Sequence, residues 1–207
     1  RNLCKYGDFF LFNDVSPEFG VINAYPIAIT EMEREEGFDE NDPSAVRFRW
    51  ITQGNQVLEN WQVSHFRLLG NDAFLPYGSS VLESARRIWR QLILIEDAML
   101  VYRVIRAPER RVFSAIEDVE YIQKKLFAAL KVPKAYLGYD EDIGSKATLA
   151  QEDIRFSRTI TRIQKTVLAE LNKLAMVHLY AHGFTDEDLL EFELQLSNPS
   201  AIAQQQK

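Results

Sequence analysis

Two apolar rows run along residues 81–107, the stretch of the chain with the clearest helical period. Apolar side chains recur there at spacings of four and three residues, which places each row on one face of an α-helix. The first row is Ile88, Leu92, Ile95, Met99 and Tyr102, and the second is Leu94, Ala98, Val101 and Ile105. A helix that is apolar on two sides must be buried on two sides. The pattern therefore predicts either the central helix of one domain or a helix packed on its own subunit and on a neighbour.

The pattern predicts three long helices, at 81–107, 115–130 and 149–182. Capping motifs mark their starts: Ser80 with Glu83, Ser114 with Glu117, and Thr148 with Gln151. Proline follows the first two helices and glycine the third. The third helix would be about 50 Å long, which exceeds the size of a compact domain of this length. We therefore expect it to bend or break at least once, or to span between subunits.

The first 77 residues have β-strand character. Residues 8–15 and 21–29 read as strands around a Ser-Pro-Glu-Phe-Gly turn, 46–60 as a hairpin, and 61–69 as another short strand. After Thr185 we expect a short helix, followed by a strand in which Phe192, Leu194 and Leu196 alternate with polar residues. Together with the three helices, these elements predict an α+β fold.

The segment 31–43 carries seven acidic residues against a single arginine, Arg34. A solvated acidic loop is the favoured interpretation, because nothing in the pattern directs the carboxylates toward one point. A metal site built on paired carboxylates is the alternative.

Charge and composition narrow the classes of function. The net charge is −6 and the pI about 5.2, so the chain as a whole is not built to bind nucleic acid. The single cysteine, Cys4, excludes an internal disulfide and fits a reducing compartment. Glu96, Asp97 and Arg103 interrupt the longest apolar helix, so no membrane span is predicted.

No phosphate-binding glycine loop, CxxC pair or nucleophile elbow is present in the sequence, and no cofactor or catalytic set is predicted. His178 and His182 have the i, i+4 spacing of a metal pair, but a third ligand is not evident. Histidines near a helix C-terminus are also favoured by the helix dipole alone. His65 is most simply a structural polar residue.

Four cations form a stripe on the third helix: Arg155, Arg158, Arg162 and Lys165. The stripe could bind phosphates, and the chain would then be a helical nucleic-acid-binding or scaffold module. It could equally form ion pairs with an acidic neighbouring surface, because acids outnumber bases in this chain.

Several longer runs identify a family resemblance. The segments VSHFRLLGNDAFLPYGSSVLESARRIW, ILIEDAMLVYRVIRAPERRVF, EDVEYIQKKLFAALKVPKAYLG and QEDIRFSRTITRIQKTVLAEL are similar to portal proteins of tailed bacteriophages, in particular the contractile-tailed type. The resemblance covers most of residues 44–197. It implies a structural subunit without catalysis, which forms a dodecameric ring at one capsid vertex through which DNA enters and leaves.

The resemblance also assigns roles to segments. Residues 1–77 would be a β-rich portion of the wing, 78–130 the stem helices, 131–148 the tunnel-loop region, and 149–207 the long wing helix with a short C-terminal helix and strand. We expect Asp140, Glu141, Asp142 and Lys146 to face the channel. Glu96 and Asp97 are expected to pair with arginines at helix or subunit contacts. Candidate interface arginines are Arg103, Arg106, Arg110, Arg155, Arg158 and Arg162.

The resemblance implies partners as well. These are further copies of the chain, capsid and neck proteins, the terminase motor, and double-stranded DNA that passes without specific binding; no membrane is involved. The portal ring would be assembled in the host cytoplasm and would remain part of the virion. One departure concerns the family's clip segment, because only Ser114 and Ala115 separate Phe113 from Ile116. The chain therefore reads as a fragment that lacks the clip, and motor binding and ring formation by it are in question.

Overall fold

The computed structural model describes residues 1–70, 72–105, 113–137, 146–185, 189 and 192–197. These residues form two compact units, one made of the described residues within 1–80 and 161–197, and the other of those within 81–160. The helices are α1 (Asn2–Tyr6), α2 (Glu83–Ile105), α3 (Phe113–Leu130) and α4 (Lys146–Ala181). α4 belongs to the second unit up to Ile160 and to the first unit from Thr161.

The first unit contains two antiparallel sheets of three strands. The strands are β1 (Asp8–Ser16), β2 (Gly20–Ile27), β3 (Met32–Glu36), β4 (Val46–Trp50), β5 (Gln56–Glu59) and β6 (Val63–Arg67). The first sheet has the order β2-β1-β6 and the second the order β3-β4-β5. Both sheets contribute to one core, formed by Phe10, Ile27, Met32, Phe48, Leu58 and Val63. The predicted β-rich beginning of the chain is confirmed, as is the α+β class.

The acidic segment is the largest correction to the sequence interpretation. Within the predicted loop 31–43, Met32–Glu36 instead forms β3 and pairs with β4, whereas residues 37–43 form no helix or strand and are mostly exposed, as expected. Met32 is 2% exposed in the core, and the Glu35 carboxylate binds the guanidinium groups of Arg47 and Arg49 on β4. Burial of one methionine and cross-strand neutralisation of a glutamate allow this acidic stretch to join a sheet.

The three long helices are present, with shifted starts. α2 begins at Glu83, three residues after Ser80, so the predicted capping box does not start the helix. The Ser80 hydroxyl instead donates to Cys4 O at 3.2 Å. α4 begins at Lys146, which places Thr148 inside the helix and not at its cap. The first turn of α3 and its predicted Ser114–Glu117 box have side chains outside the described set.

Two further expectations differ from the structure. α4 is an uninterrupted helix of 36 residues, so the predicted break is absent over 146–181; no Gly or Pro occurs there to cause one. A gradual bend stays a prediction. Residues 192–197 form no strand despite their alternating pattern, because none of the strands that the structure describes pairs with them. The short helix expected after Thr185 falls mostly on residues outside the described set.

Candidate functional surfaces

α2 and α3 form an antiparallel hairpin that packs through one face of each helix. Ala85 and Leu92 on α2 meet Leu126 on α3, and all three are buried. The Ser84 hydroxyl donates to Ala129 O at 2.8 Å, which fixes the α2 start beside the α3 end. The first apolar row predicted for α2 therefore faces its own subunit, at least from Ile88 to Leu92.

The second predicted row of α2 is exposed at Leu94, Ala98 and Val101, the members whose side chains the structure describes. Leu94 is 72% exposed and Val101 54% exposed, and further large apolar side chains on the same helix are exposed as well. The exposed set on α2 includes Trp89, Ile93, Leu94, Leu100, Val101 and Tyr102. None of the helices that the structure describes is long and apolar enough to cross a membrane. An exposed apolar helical surface of this extent is typical of a site that contacts another protein, a ligand or a membrane surface.

The N-terminal half of α2 carries a basic groove that sequence reasoning missed. It has a volume of about 370 Å³ and is lined by Glu83, Arg86, Arg87, Arg90, Gln91 and Leu94. Glu83 pairs with Arg86 at 2.8 Å, so this surface keeps an excess of positive charge. The spacing of the arginines at i, i+1 and i+4 was a signal that could have revealed it.

Glu96 and Asp97, the predicted ion-pair acids, are exposed on α2. Arg106 and Arg110 fall outside the described residues, as does the side chain of Arg103. The predicted pairing of the two acids with arginines therefore stays a prediction.

The basic stripe of α4 is exposed at all four of its positions. Arg155 and Arg158 belong to the second unit, whereas Arg162 and Lys165 belong to the first. The Arg162 guanidinium donates to Leu69 O, which uses part of the stripe for contacts within its own unit. Its predicted role at a subunit contact or on phosphates stays open.

Of the predicted channel-facing residues, Asp140, Glu141 and Asp142 lie outside the described residues, and only the backbone of Lys146 is described, at the first position of α4. Beside this segment, the Tyr136 hydroxyl donates to Asp153 Oδ1 at 3.0 Å, and its ring lies 5.1 Å from that of Phe156. The hydrogen bond to Asp153 raises the pKa of Tyr136 above its ordinary value. These contacts hold residue 136 on the first half of α4.

A buried polar cluster in the first unit centres on Asp8 and His65. The Asp8 carboxylate accepts from His65 Nε2 at 2.8 Å and from the Gly78 amide at 2.9 and 3.0 Å. His65 is 2% exposed, and its Nδ1 is buried without a hydrogen-bond partner. Burial therefore lowers the pKa of His65 to about 4, although the neighbouring Asp8 acts in the opposite direction. The ring also stacks on Phe10, with centroids 4.1 Å apart, so the structure places His65 in the core.

α4 covers the outer edge of β6 with two side chains one turn apart. Glu170 Oε2 accepts from the His65 amide at 3.2 Å, and Lys173 Nζ donates to Val63 O at 2.9 Å and to Asn60 Oδ1 at 2.8 Å. Partial burial raises the pKa of Glu170 and lowers that of Lys173. These side chains satisfy backbone groups that a further strand would otherwise pair.

The His178 and His182 rings lie together, with centroids 4.6 Å apart. His178 Nδ1 accepts from the Val21 amide at 3.2 Å, so the neutral ring carries its proton on Nε2. While this bond persists, the Nδ1 lone pair is occupied and the protonated Nε2 has no lone pair to offer a metal. Among the residues that the structure describes, no group of three or more His, Cys, Asp and Glu side chains converges as a metal site. A Cβ on Gly20 would lie 2.7 Å from His178 Nδ1, so the histidine occupies space that this glycine leaves open.

Comparison with known proteins gives consistent results. The family model described as "Bacteriophage T4-like portal protein (Gp20)" matches residues 58–115 and 114–207. A portal protein of Vibrio phage KVP40 is 34% identical over 71 residues, which is 31% of this chain and 14% of that protein's length. The structure of an HK97 family phage portal protein from Corynebacterium diphtheriae matches this chain with a TM-score of 0.53 and 14% identity. The match covers 98% of this chain and 76% of the chain of that protein.

The structural likeness shows the fold, and the family model covers well over half of the sequence in the same region that carries the motif resemblance. The chain therefore belongs to the T4-like portal protein family of bacteriophages.

Proposed function

We propose that this chain is a structural subunit of a phage portal ring, which forms the channel for DNA at one vertex of the capsid and performs no catalysis. The observation that carries the proposal is the exposed apolar surface of α2, in a chain of the portal family. Fully burying an apolar side chain contributes about 1.5–3 kcal/mol, so contacts across this surface could hold neighbouring copies together.

In this proposal α2 and α3 are the stem helices, and α4 is the long helix of the wing. Residues 131–148 form the tunnel-loop region, where Asp140, Glu141, Asp142 and Lys146 face the channel. The ring is dodecameric, contacts capsid and neck proteins, and passes double-stranded DNA without binding it specifically. It is assembled in the host cytoplasm and remains in the virion.

The same proposal accounts for the short connection between α2 and α3. The family model matches in two blocks, 58–115 and 114–207, which overlap at residues 114 and 115, where we expect the clip to be missing. The split supports a family segment that is absent from this chain at that point. Terminase docking is therefore assigned to the intact portal protein and not to this chain.

Particle mass and shape test the proposal. We expect native mass spectrometry and negative-stain images of the chain to show closed rings of identical copies. A chain that stays at 24.0 kDa at high protein concentration would contradict ring formation. Binding of DNA that weakens steeply with added salt would instead support the nucleic-acid-binding alternative, which relies on the stripe Arg155, Arg158, Arg162 and Lys165.

A further inference from the structure

β2 forms one outer edge of the first sheet, and its sequence is typical of a strand that adds to other strands. No charged residue occurs in 19–30, and the side chains of Ile22 and Tyr25 are 60% and 48% exposed. An exposed edge strand of this kind offers its backbone groups to strands of other chains, and charged side chains normally prevent such pairing. β2 therefore needs another form of protection.

The register of the sheet shows which backbone N–H groups of β2 point outward. The His65 amide donates to a side chain of α4, so it points away from β1, and the opposed pair of His65 and Phe10 is not hydrogen-bonded. Bonded and unbonded pairs alternate in antiparallel sheets, and a residue that does not bond to one neighbouring strand bonds to the other. Phe10 therefore bonds to Ile27 of β2, and the backbone groups of residues 24 and 26 point outward.

The outward N–H groups of β2 are occupied or missing. The Ala24 amide donates to Asn23 Oδ1 at 2.9 Å, and Pro26 has no N–H. On the other side of an irregularity in the register, the Val21 amide donates to His178 Nδ1 on α4 at 3.2 Å. The first two protections lie within β2, whereas the third depends on a helix far along the chain.

α4 reaches this edge because Gly20 leaves room for the imidazole ring of His178. A Cβ on Gly20 would lie 2.7 Å from His178 Nδ1. Earlier on the same helix, Glu170 and Lys173 bond to the backbone of β6, the opposite edge of the same sheet. All of these residues belong to the first unit. Its part of α4 therefore bonds to both outer strands of the three-stranded sheet.

We propose that α4 acts as a strap on β2, in which His178 closes the edge of the sheet and prevents β2 from pairing with β2 of a second copy. A second copy is the occupant that the strand itself indicates, because an uncharged strand brings no like charges against its own counterpart. The Val21 amide that such pairing needs is released only when the His178 contact opens. The inference does not depend on the proposed ring.

Amide exchange and association measure the state of this edge in the whole chain. In His178→Ala we expect the Val21 amide to exchange with solvent at least about tenfold faster than in the wild type, because its hydrogen bond is lost. Thioflavin fluorescence, which reports β-rich aggregates, should rise faster at equal protein concentration. His178→Asn is the conservative variant, since its amide oxygen can accept in place of Nδ1, and it should behave as the wild type. Asparagine favours helix less than alanine, so helix propensity would not explain this rescue.

Three further variants separate edge pairing from a general loss of stability. Ile22→Lys in the His178→Ala background adds a charge to the exposed strand and should suppress association. Pro26→Ala leaves α4 unchanged and restores an outward N–H, so it should accelerate association even if His178→Ala fails to fold. His182→Ala is the matched control, because it removes the exposed neighbouring imidazole and keeps the bond to Val21. Circular dichroism and urea unfolding identify the variants that are folded.

Several results would overturn the proposal. Wild-type exchange and association of a folded His178→Ala chain would show that α4 does not protect β2, as would wild-type association of Pro26→Ala if His178→Ala does not fold. If His178→Asn associated as fast as His178→Ala, the ring would fill space and its acceptor would be irrelevant. Association that Ile22→Lys fails to suppress would not occur through β2. None of these results bears on ring formation, which the mass of the wild-type particle tests separately.

Discussion

The side chain of His65 makes the stability of this fold depend on pH. Its pKa is lowered to about 4 by burial, below the value of about 6.5 that an unfolded chain has. Between those two values the unfolded state binds a proton that the folded state does not, so stability falls as the pH drops from 7 toward 4. The carboxylate of Glu170 has a raised pKa and acts with the opposite sign.

Replacing His65 isolates this contribution. We expect the wild type to lose about 2 kcal/mol of unfolding free energy through His65 between pH 7 and pH 5. His65→Gln keeps a donor for Asp8 but does not titrate, so it should be less stable at pH 7 and lose less on acidification. Urea unfolding at the two pH values measures the difference, in which the Glu170 contribution cancels. Equal losses for both proteins would contradict the role given to His65.

Lys173 gives a second prediction at the residue scale. Lys173→Met keeps the apolar stem but leaves Val63 O and the Glu170 carboxylate without their cation, and it should cost about 1–3 kcal/mol. Lys165→Met is the matched control, since Lys165 is exposed on the same helix and in the same unit. Chemical unfolding measures both variants, and comparable losses would show that the capping of β6 by α4 contributes nothing.

At the scale of elements, the long helices and the early strands could be predicted from period alone. The start of α2 could not, because Ser80 and Glu83 satisfy a capping rule that tertiary contacts override. β3 could not be predicted from its own residues, because the arginines that neutralise Glu35, Arg47 and Arg49, lie on another strand. The strand expected at 192–196 did not form, because an alternating pattern produces a strand only when the edge of a sheet is available to pair with it.

The candidate contact surface was predicted in part. The apolar pattern indicated that α2 has a second buried side, and the structure shows that Leu94 and Val101 are uncovered in the single chain. Which flanks of α2 stay exposed could not be read from the sequence, because only the position of α3 distinguishes the buried face around Leu92 from the rest of the helix. The same holds for Asp8, whose partners come from residues 65 and 78.

For the whole molecule, the net charge of −6 bears on how DNA would pass through a ring of such chains. Each phosphate that a fixed cation neutralises adds affinity and slows sliding, so a passive channel should avoid binding its cargo. The proposed tunnel-loop region concentrates three acids, Asp140, Glu141 and Asp142, with Lys146 as the nearest compensating charge. We therefore expect a ring of such chains to repel DNA along the proposed tunnel-loop region.

Replacing these three acids with lysine in a full-length portal ring tests that idea. We expect the ring to assemble normally, because the substituted positions lie outside α2 and its exposed apolar surface. DNA packaging should be impaired, since each subunit would offer three new cations to the phosphates and a ring would hold the DNA in a salt-dependent way. Three substitutions by asparagine are the control, because they remove charge without adding cations and should impair packaging less. Packaging by the lysine variant at the wild-type rate would contradict the electrostatic role of the loop, while the portal fold would stand.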